Sequence, residues 1–368
     1  MTIRSIRRRE LLTSALSGAA TVLLPRSTFA FQLSLREAAI GSEMKRLSVP
    51  GLSWSLFSEG EIWETGMLGV KSTVSGEAIA ATTRFQAASL SKTINALCVL
   101  TLVRDGLLNL DDRVNDHLQG WQLRGHKDAS EVTIRMLLSH SGGVNVHGFE
   151  GYERSKLLPD LPAVLDGTAP ANSPPVRVQW KPGTRFSYSG GGVTVLQKLV
   201  SDVAKLPYAA ALDRRVLKPL GMSNSSMHQP PDAADLASGH DAAGRTVVGD
   251  YHIYPELAAA GFWTTPTDMA LAVCAILQSL ENAPNALLPR PIAAEMIKPV
   301  VKAAGLGTFV SKTGLIDHAG ANWGFRAIYT ANPAHRHGYV VMSNGENGEE
   351  LNDQVAKLLV EAARWHDF

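Results

Sequence analysis

The sequence predicts an α+β fold: one antiparallel sheet built from both chain ends, with a mostly helical segment inserted between its strands. Three observations carry this. Two strand-like segments flank a polar turn near residue 60. Two more lie between residues 324 and 342. Between these pairs, apolar residues recur mainly at helical spacing rather than in alternation. The early antiparallel hairpin argues against a purely parallel α/β sheet.

Phe31 to Leu47 reads as a helix, with Leu35, Ala38, Ala39, Met44 and Leu47 at helical spacing, ending before Pro50-Gly51. Leu52 to Phe57 and Glu61 to Gly66 pair around the turn Ser58-Glu59-Gly60. Ser89 to Arg104 is a mostly apolar helix, hence an internal one, and Asp105-Gly106 ends it. Short helices follow at Thr133–Leu138, Gly191–Ala204 and Tyr208–Val216, and another at Thr267–Leu280. The Pro-rich stretch 159–182 and the polar stretch 224–250 read as irregular. Gly324–Thr330 and His337–Met342 are adjacent strands joined at Asn332-Pro333, and Leu351–Trp365 is an amphipathic terminal helix. No internal repeat is present.

The 368 residues carry 35 basic and 34 acidic side chains. The first 30 hold five arginines and one glutamate, so the remainder has 30 basic and 33 acidic. No basic stripe suggests nucleic acid. Residues 1–30 read as an export signal: a basic start, an apolar stretch from Leu11 to Leu24, and Thr28-Phe29-Ala30 as a cleavage site. Arg8-Arg9-Glu10-Leu11-Leu12 resembles a twin-arginine signature. The mature chain is then expected outside the cytoplasm, without a membrane span, since no later apolar run approaches 18 residues. Cys98 and Cys274 sit in apolar helices and read as buried thiols rather than a disulfide scaffold. No H-E-x-x-H, acid cluster or cysteine pair suggests a metal, and no cofactor is expected.

Ser89-Leu90-Ser91-Lys92 is the first chemical motif. Positions i and i+3 share a helix face. A serine hydroxyl becomes a good nucleophile when a neighbouring base takes its proton, and a lysine does this when burial or nearby cations lower its pKa. A helix N-terminus also supplies free N–H groups for an oxyanion. Taken alone, the same four residues fit a helix cap, at Ser89 or at Ser91.

The surroundings decide between these. Phe85 to Leu97 resembles the nucleophile segment of the serine beta-lactamase and penicillin-binding-protein superfamily. It is most similar to the branch of class C beta-lactamases, D-alanyl-D-alanine carboxypeptidases and related esterases. Gly106–Val114, Val132–Gly143, Trp180–Gly190 and Ala260–Asp268 match further blocks in order, so the resemblance runs from about Val49 to Val360. It implies a beta-lactamase/transpeptidase-like fold: an antiparallel sheet flanked by helices, with a mostly helical second domain and the active site between them. The expected division is 31–88 and 259–368 for the α/β domain and 89–258 for the helical one.

The resemblance also implies site residues. Tyr188 matches the tyrosine of the Y-x-N motif, acting as base or proton relay with Lys92, so the two should titrate as a pair. Gly190 stands where the family usually has asparagine, a departure that disfavours efficient beta-lactam hydrolysis. The third element has two candidates, Lys312-Thr313-Gly314 and His318-Ala319-Gly320. The second is preferred because a strand with an early Gly-Phe pair follows it. His318 would then border the pocket and bond a substrate carboxylate or tune Tyr188, and Gly320 would allow close approach. The Ala321 N–H, with that of Ser89, would form the oxyanion hole. His140 reads as ordering the Ser139–Gly143 turn. Trp323, Phe325 and Tyr152 read as cleft-lining or packing residues, and His335 and His337 as surface residues.

These residues predict a serine hydrolase working through an acyl-enzyme on carboxylic esters or small amides. Beta-lactamase or D-Ala-D-Ala carboxypeptidase activity is the enzymatic alternative. A non-catalytic penicillin-binding-like protein is the alternative of another class. The expected partner is a small ester, amide or beta-lactam.

Overall fold

The computed structural model describes residues 26–229, 231 and 235–368. The export reading of residues 1–25 lies outside them. The described strands are β1 (Gly51–Ser58), β2 (Glu61–Gly69), β3 (Phe85–Gln86), β4 (Tyr152–Glu153), β5 (His252–Ile253), β6 (Trp263–Thr264), β7 (Phe309–Val310), β8 (Ile316–Asn322), β9 (Phe325–Asn332) and β10 (His337–Ser343). The α-helices are α1 (Arg26–Arg46), α2 (Ser91–Arg104), α3 (Ile134–Leu138), α4 (Leu161–Asp166), α5 (Gly190–Ala204), α6 (Tyr208–Leu212), α7 (Leu257–Ala260), α8 (Pro266–Leu280), α9 (Arg290–Met296) and α10 (Gly348–Ala363).

The main sheet has the order β2-β1-β10-β9-β8-β7, antiparallel throughout, so both chain ends meet in it. The β1–β2 hairpin turns at Glu59 and Gly60, both with positive φ, the backbone that matches strand twist. On β1 the alternation puts Leu52, Trp54 and Leu56 in one apolar cluster with Ile40 and Met44 of α1 and Leu351, Val355 and Leu359 of α10. Phe57 faces the other way, into the main core shared with α2 and α8. The terminal helices therefore cover one face of the sheet, as the sequence predicts.

The stretch 159–182 is not wholly irregular. Asp160 caps α4 by accepting from the Ala163 N–H at 2.9 Å, and Gly167 in left-handed conformation closes it. The expected helix 208–216 is also modified: α6 stops at Leu212 and passes into a π-helical turn over Asp213–Leu217. Cys98 and Cys274 are buried free thiols, each pushed up to about 12 by burial. Among the described residues no helix is long and apolar enough to cross a membrane.

α2 runs through the interior, buried from Ser91 to Leu102 and packed against α5 and α7. Its N-terminus and the turn before it lie against β8 and β9. That junction, where the internal helix meets the sheet, positions the site.

Candidate active site

Ser89 does not start the α-helix. It sits in a 3-10 turn, Ala88–Leu90, and α2 begins at Ser91. Ala88 holds φ at 49°, a conformation an alanine adopts only when its surroundings impose it. Ser91 is no N-cap: its hydroxyl donates back to the Ala88 carbonyl and accepts from the Phe262 N–H at 3.1 Å. The turn is thereby fixed with Ser89 half-buried at the cleft and Ala88 behind it.

Lys92, 3% exposed, donates to the Ser89 hydroxyl oxygen at 2.9 Å and to the Ala259 carbonyl at 2.7 Å. The short helix α7 supplies that carbonyl, so one end of the lysine is anchored and the other reaches the serine. Lys92 Nζ also stands 5.0 Å from the centre of the Tyr188 ring. Tyr188 precedes Ser189, which caps α5 by accepting from the Gly192 N–H at 2.8 Å.

On the strand side, His318, Gly320 and Asn322 alternate onto the buried face of β8. Gly320 is required there. A Cβ at this position would stand 2.4 Å from the Ala87 carbonyl oxygen and 2.9 Å from the Ser89 nitrogen. Its absence lets β8 lie directly against the serine turn. Asn322 locks the contact by donating to Gln86 at 2.8 Å and to the Ala260 carbonyl at 3.1 Å. Ala321 borders the same cleft, which has a volume of about 600 Å³.

His318 is 3% exposed. Its Nδ1–H donates to the Ala319 carbonyl at 2.7 Å. Burial first, then the Lys92 charge, pushes its pKa down to about 3. The ring is therefore neutral with its proton on Nδ1, and Nε2 is a buried acceptor without a partner among the described residues. In the free protein Nε2 therefore offers an acceptor, and bonding a substrate carboxylate, the role expected of His318, would require that nitrogen to take up a proton.

Lys312-Thr313-Gly314 lies in the exposed turn between β7 and β8, away from the cleft. Gly190 borders the cleft beside Tyr188. Trp323 is half-exposed on the β8–β9 turn, its ring tilted against that of His252 at 5.5 Å, whereas Phe325 is fully buried in the core. Tyr152 is buried and accepts from the Asn172 N–H. His337 stacks on Trp365 at 4.3 Å, and among the described residues no His, Cys, Asp and Glu cluster is placed to hold a metal.

The sequence reading missed His147 altogether and missed the second role of His140. His140 does order its turn, with φ at 57° and its carbonyl accepting from Ser187. It also packs beneath Tyr188 at 4.4 Å and accepts from the Ser189 N–H through Nδ1 at 3.2 Å. Burial and Lys92 hold its pKa well below the ordinary histidine value, so it is neutral. His147 also packs on Tyr188, 4.9 Å from its ring. Nothing in the local pattern of residues 144–149 marks it.

An internal helix that carries Lys92 in its first turn, with Ser89 in the 3-10 turn just before it, set against an antiparallel sheet, is the arrangement of a beta-lactamase/transpeptidase-like fold. The model of the family described as Beta-lactamase matches residues 36–364, and the chain belongs to that family. It is similar in structure to an octameric penicillin-binding protein homologue from Pyrococcus abyssi, with TM-score 0.75 and 22% identity over 89% of this chain and 77% of that one. The D-alanine carboxypeptidase AmpC from Burkholderia cenocepacia gives 0.70 and 19% over 91% and 99%. Protein flp of Staphylococcus aureus (strain COL) is 23% identical over 344 residues, 88% of this chain. The chain spans 64% of the length of that relative. Family membership supports a serine-hydrolase mechanism through an acyl-enzyme in general; it does not select a substrate.

Proposed function

We propose that the protein hydrolyses carboxylic esters or small amides through an acyl-enzyme on Ser89. The 2.9 Å hydrogen bond between Lys92 Nζ and Ser89 Oγ, inside a cleft bounded by β8, carries this reading. Ser89 Oγ attacks the substrate carbonyl carbon, and its proton passes to the Lys92–Tyr188 pair. The carbonyl oxygen becomes an oxyanion against the Ser89 and Ala321 N–H groups. The bond to the leaving group then breaks and the proton returns to that group. Water repeats the sequence on the acyl-enzyme, releasing the acid and restoring Ser89.

The preference for uncharged substrates rests on charge. The lysine and arginine bordering the cleft are both engaged: Lys92 with Ser89 and Ala259, Arg326 with Glu346. His318 is neutral, and Gly190 offers no side chain. A beta-lactam or a D-Ala-D-Ala terminus brings a carboxylate, and among the described residues the cations that line the cleft are already bonded within the protein, with Lys302, outside that lining, 5.8 Å from the Phe186 ring. The class C, carboxypeptidase and esterase branch remains our reading, on His318-Ala319-Gly320. Export also remains so, on the pattern of residues 1–30.

The test is turnover of p-nitrophenyl butyrate, nitrocefin and a D-Ala-D-Ala peptide by the purified chain. The ester should be turned over fastest. Nitrocefin as much the best substrate would overturn the specificity argument, and no turnover of any would favour a binding protein.

A further inference from the structure

Gly190 leaves one wall of the cleft without a side chain, yet that space is filled. A Cβ at 190 would stand 3.1 Å from the Phe149 ring and 3.2 Å from the His147 carbonyl oxygen. The segment Asn145–Phe149 occupies it. It is pinned to the start of α5 by three bonds: Gly190 N–H to His147 O at 2.9 Å, Gly191 N–H to Val146 O at 3.0 Å, and Ser189 Oγ to Asn145 O at 2.7 Å. Asn145 ties its other side, accepting from the Arg177 N–H at 2.7 Å and donating to the Pro175 carbonyl at 2.9 Å.

The segment is also strained. Val146 has φ at 60°, a conformation that a β-branched residue rarely adopts. Such backbone persists where the surroundings over-determine it, and it clusters at functional sites. Here it delivers the next residue, His147, to the cleft.

Several other polar groups of the cleft are out of reach of a substrate chain, while the Tyr188 hydroxyl, assigned to proton transfer, makes no hydrogen bond among the described residues. Ser89 and Lys92 bond each other, Asn322 bonds Gln86, Arg326 pairs with Glu346, and His318 Nε2 is buried. His147 is exposed beside Tyr188, and its ring nitrogens make no hydrogen bond among the described residues. Around it the wall is apolar, formed by Phe149, Phe186 and Phe309.

We infer that His147 is a specificity-determining residue. It hydrogen-bonds a hydroxyl or amide group carried by an otherwise apolar substrate chain, as Ser89 takes up the carbonyl. An imidazole with one donor and one acceptor serves either group. This inference rests on the proposed acyl-enzyme at Ser89.

The test compares rates of Ser89 labelling by three alkyl fluorophosphonates of equal length: plain, hydroxyl-bearing and amide-bearing. The unmodified chain should label faster with one of the two polar probes than with the plain one. The faster of the two identifies the group. His147→Ala should reduce that preference about tenfold, equivalent to about 1.4 kcal/mol. His147→Gln, which keeps a donor and an acceptor, should restore most of it. A preference unchanged in His147→Ala, or absent from the parent, overturns the inference while labelling at Ser89 leaves the proposed function standing. No labelling by any probe overturns both.

Discussion

The two walls of the cleft are built differently. On the β8 side three polar side chains near Ser89 are already bonded within the protein: Lys92 to Ala259, Asn322 to Gln86, His318 to Ala319. On the opposite side exposed His147 follows strained Val146, and its ring makes no hydrogen bond among the described residues. The first wall fixes reacting atoms and tolerates almost no change in volume. The second offers a side chain to whatever enters. Chemistry and substrate choice are therefore carried by separate elements, and substitutions on the two walls should fail in different ways.

Lys92→Ala should give the largest effect. Loss of a positioned acid–base group lowers turnover by about 10²- to 10⁴-fold. The fall should appear for every substrate alike, measured as kcat/KM with p-nitrophenyl butyrate and an amide. A fall confined to one substrate would erase the distinction between the walls.

Gly320→Ala comes next. Its new Cβ meets backbone atoms at 2.4 and 2.9 Å, which have no rotamer to yield. Overpacking of this kind costs about 1–3 kcal/mol. Displacing the serine turn by about 1 Å should lower turnover about 10²-fold. Circular dichroism with the rate of Ser89 labelling separates misfolding from misplacement. Normal labelling would mean that β8 does not position the serine.

The smallest effect on activity is expected behind the site, at Glu256. This carboxylate precedes α7, is fully buried, and neither oxygen has a partner among the described residues. Burial pushes its pKa up to about 7 from an ordinary 4.5. The folded state therefore holds a proton that the unfolded chain has released between those values. Stability should fall as pH rises through the window from 4.5 to 7 and level off above it, by about 3 kcal/mol in all. Glu256→Gln should remove that contribution, flattening the pH dependence of Tm across the window. An unchanged slope would contradict it.

Much of this contrast was legible in the residues, and the division is physical. The hairpin, the C-terminal strands and the internal helix announce themselves by periodicity, and Ser89, Lys92 and Tyr188 by ordered motifs. His318-Ala319-Gly320 stood out from Lys312-Thr313-Gly314 by the strand that follows it. The tautomer of His318 did not, because it depends on one carbonyl and on burial. Ala88, His140 and Val146 adopt left-handed backbone without being glycine, so local propensity points away from their conformations. The paired strands β3–β6 and β4–β5 are two residues long, too short for any period. His147 follows from the packing of Phe149 over Gly190, a contact between segments 40 residues apart that no local pattern records.

The most direct measurement is to label the purified chain with a fluorophosphonate and map the modified residue by peptide mass spectrometry. One modified residue is expected, Ser89, with labelling lost in Ser89→Ala together with ester turnover. Full ester turnover in folded Ser89→Ala, or modification at another serine, would contradict it.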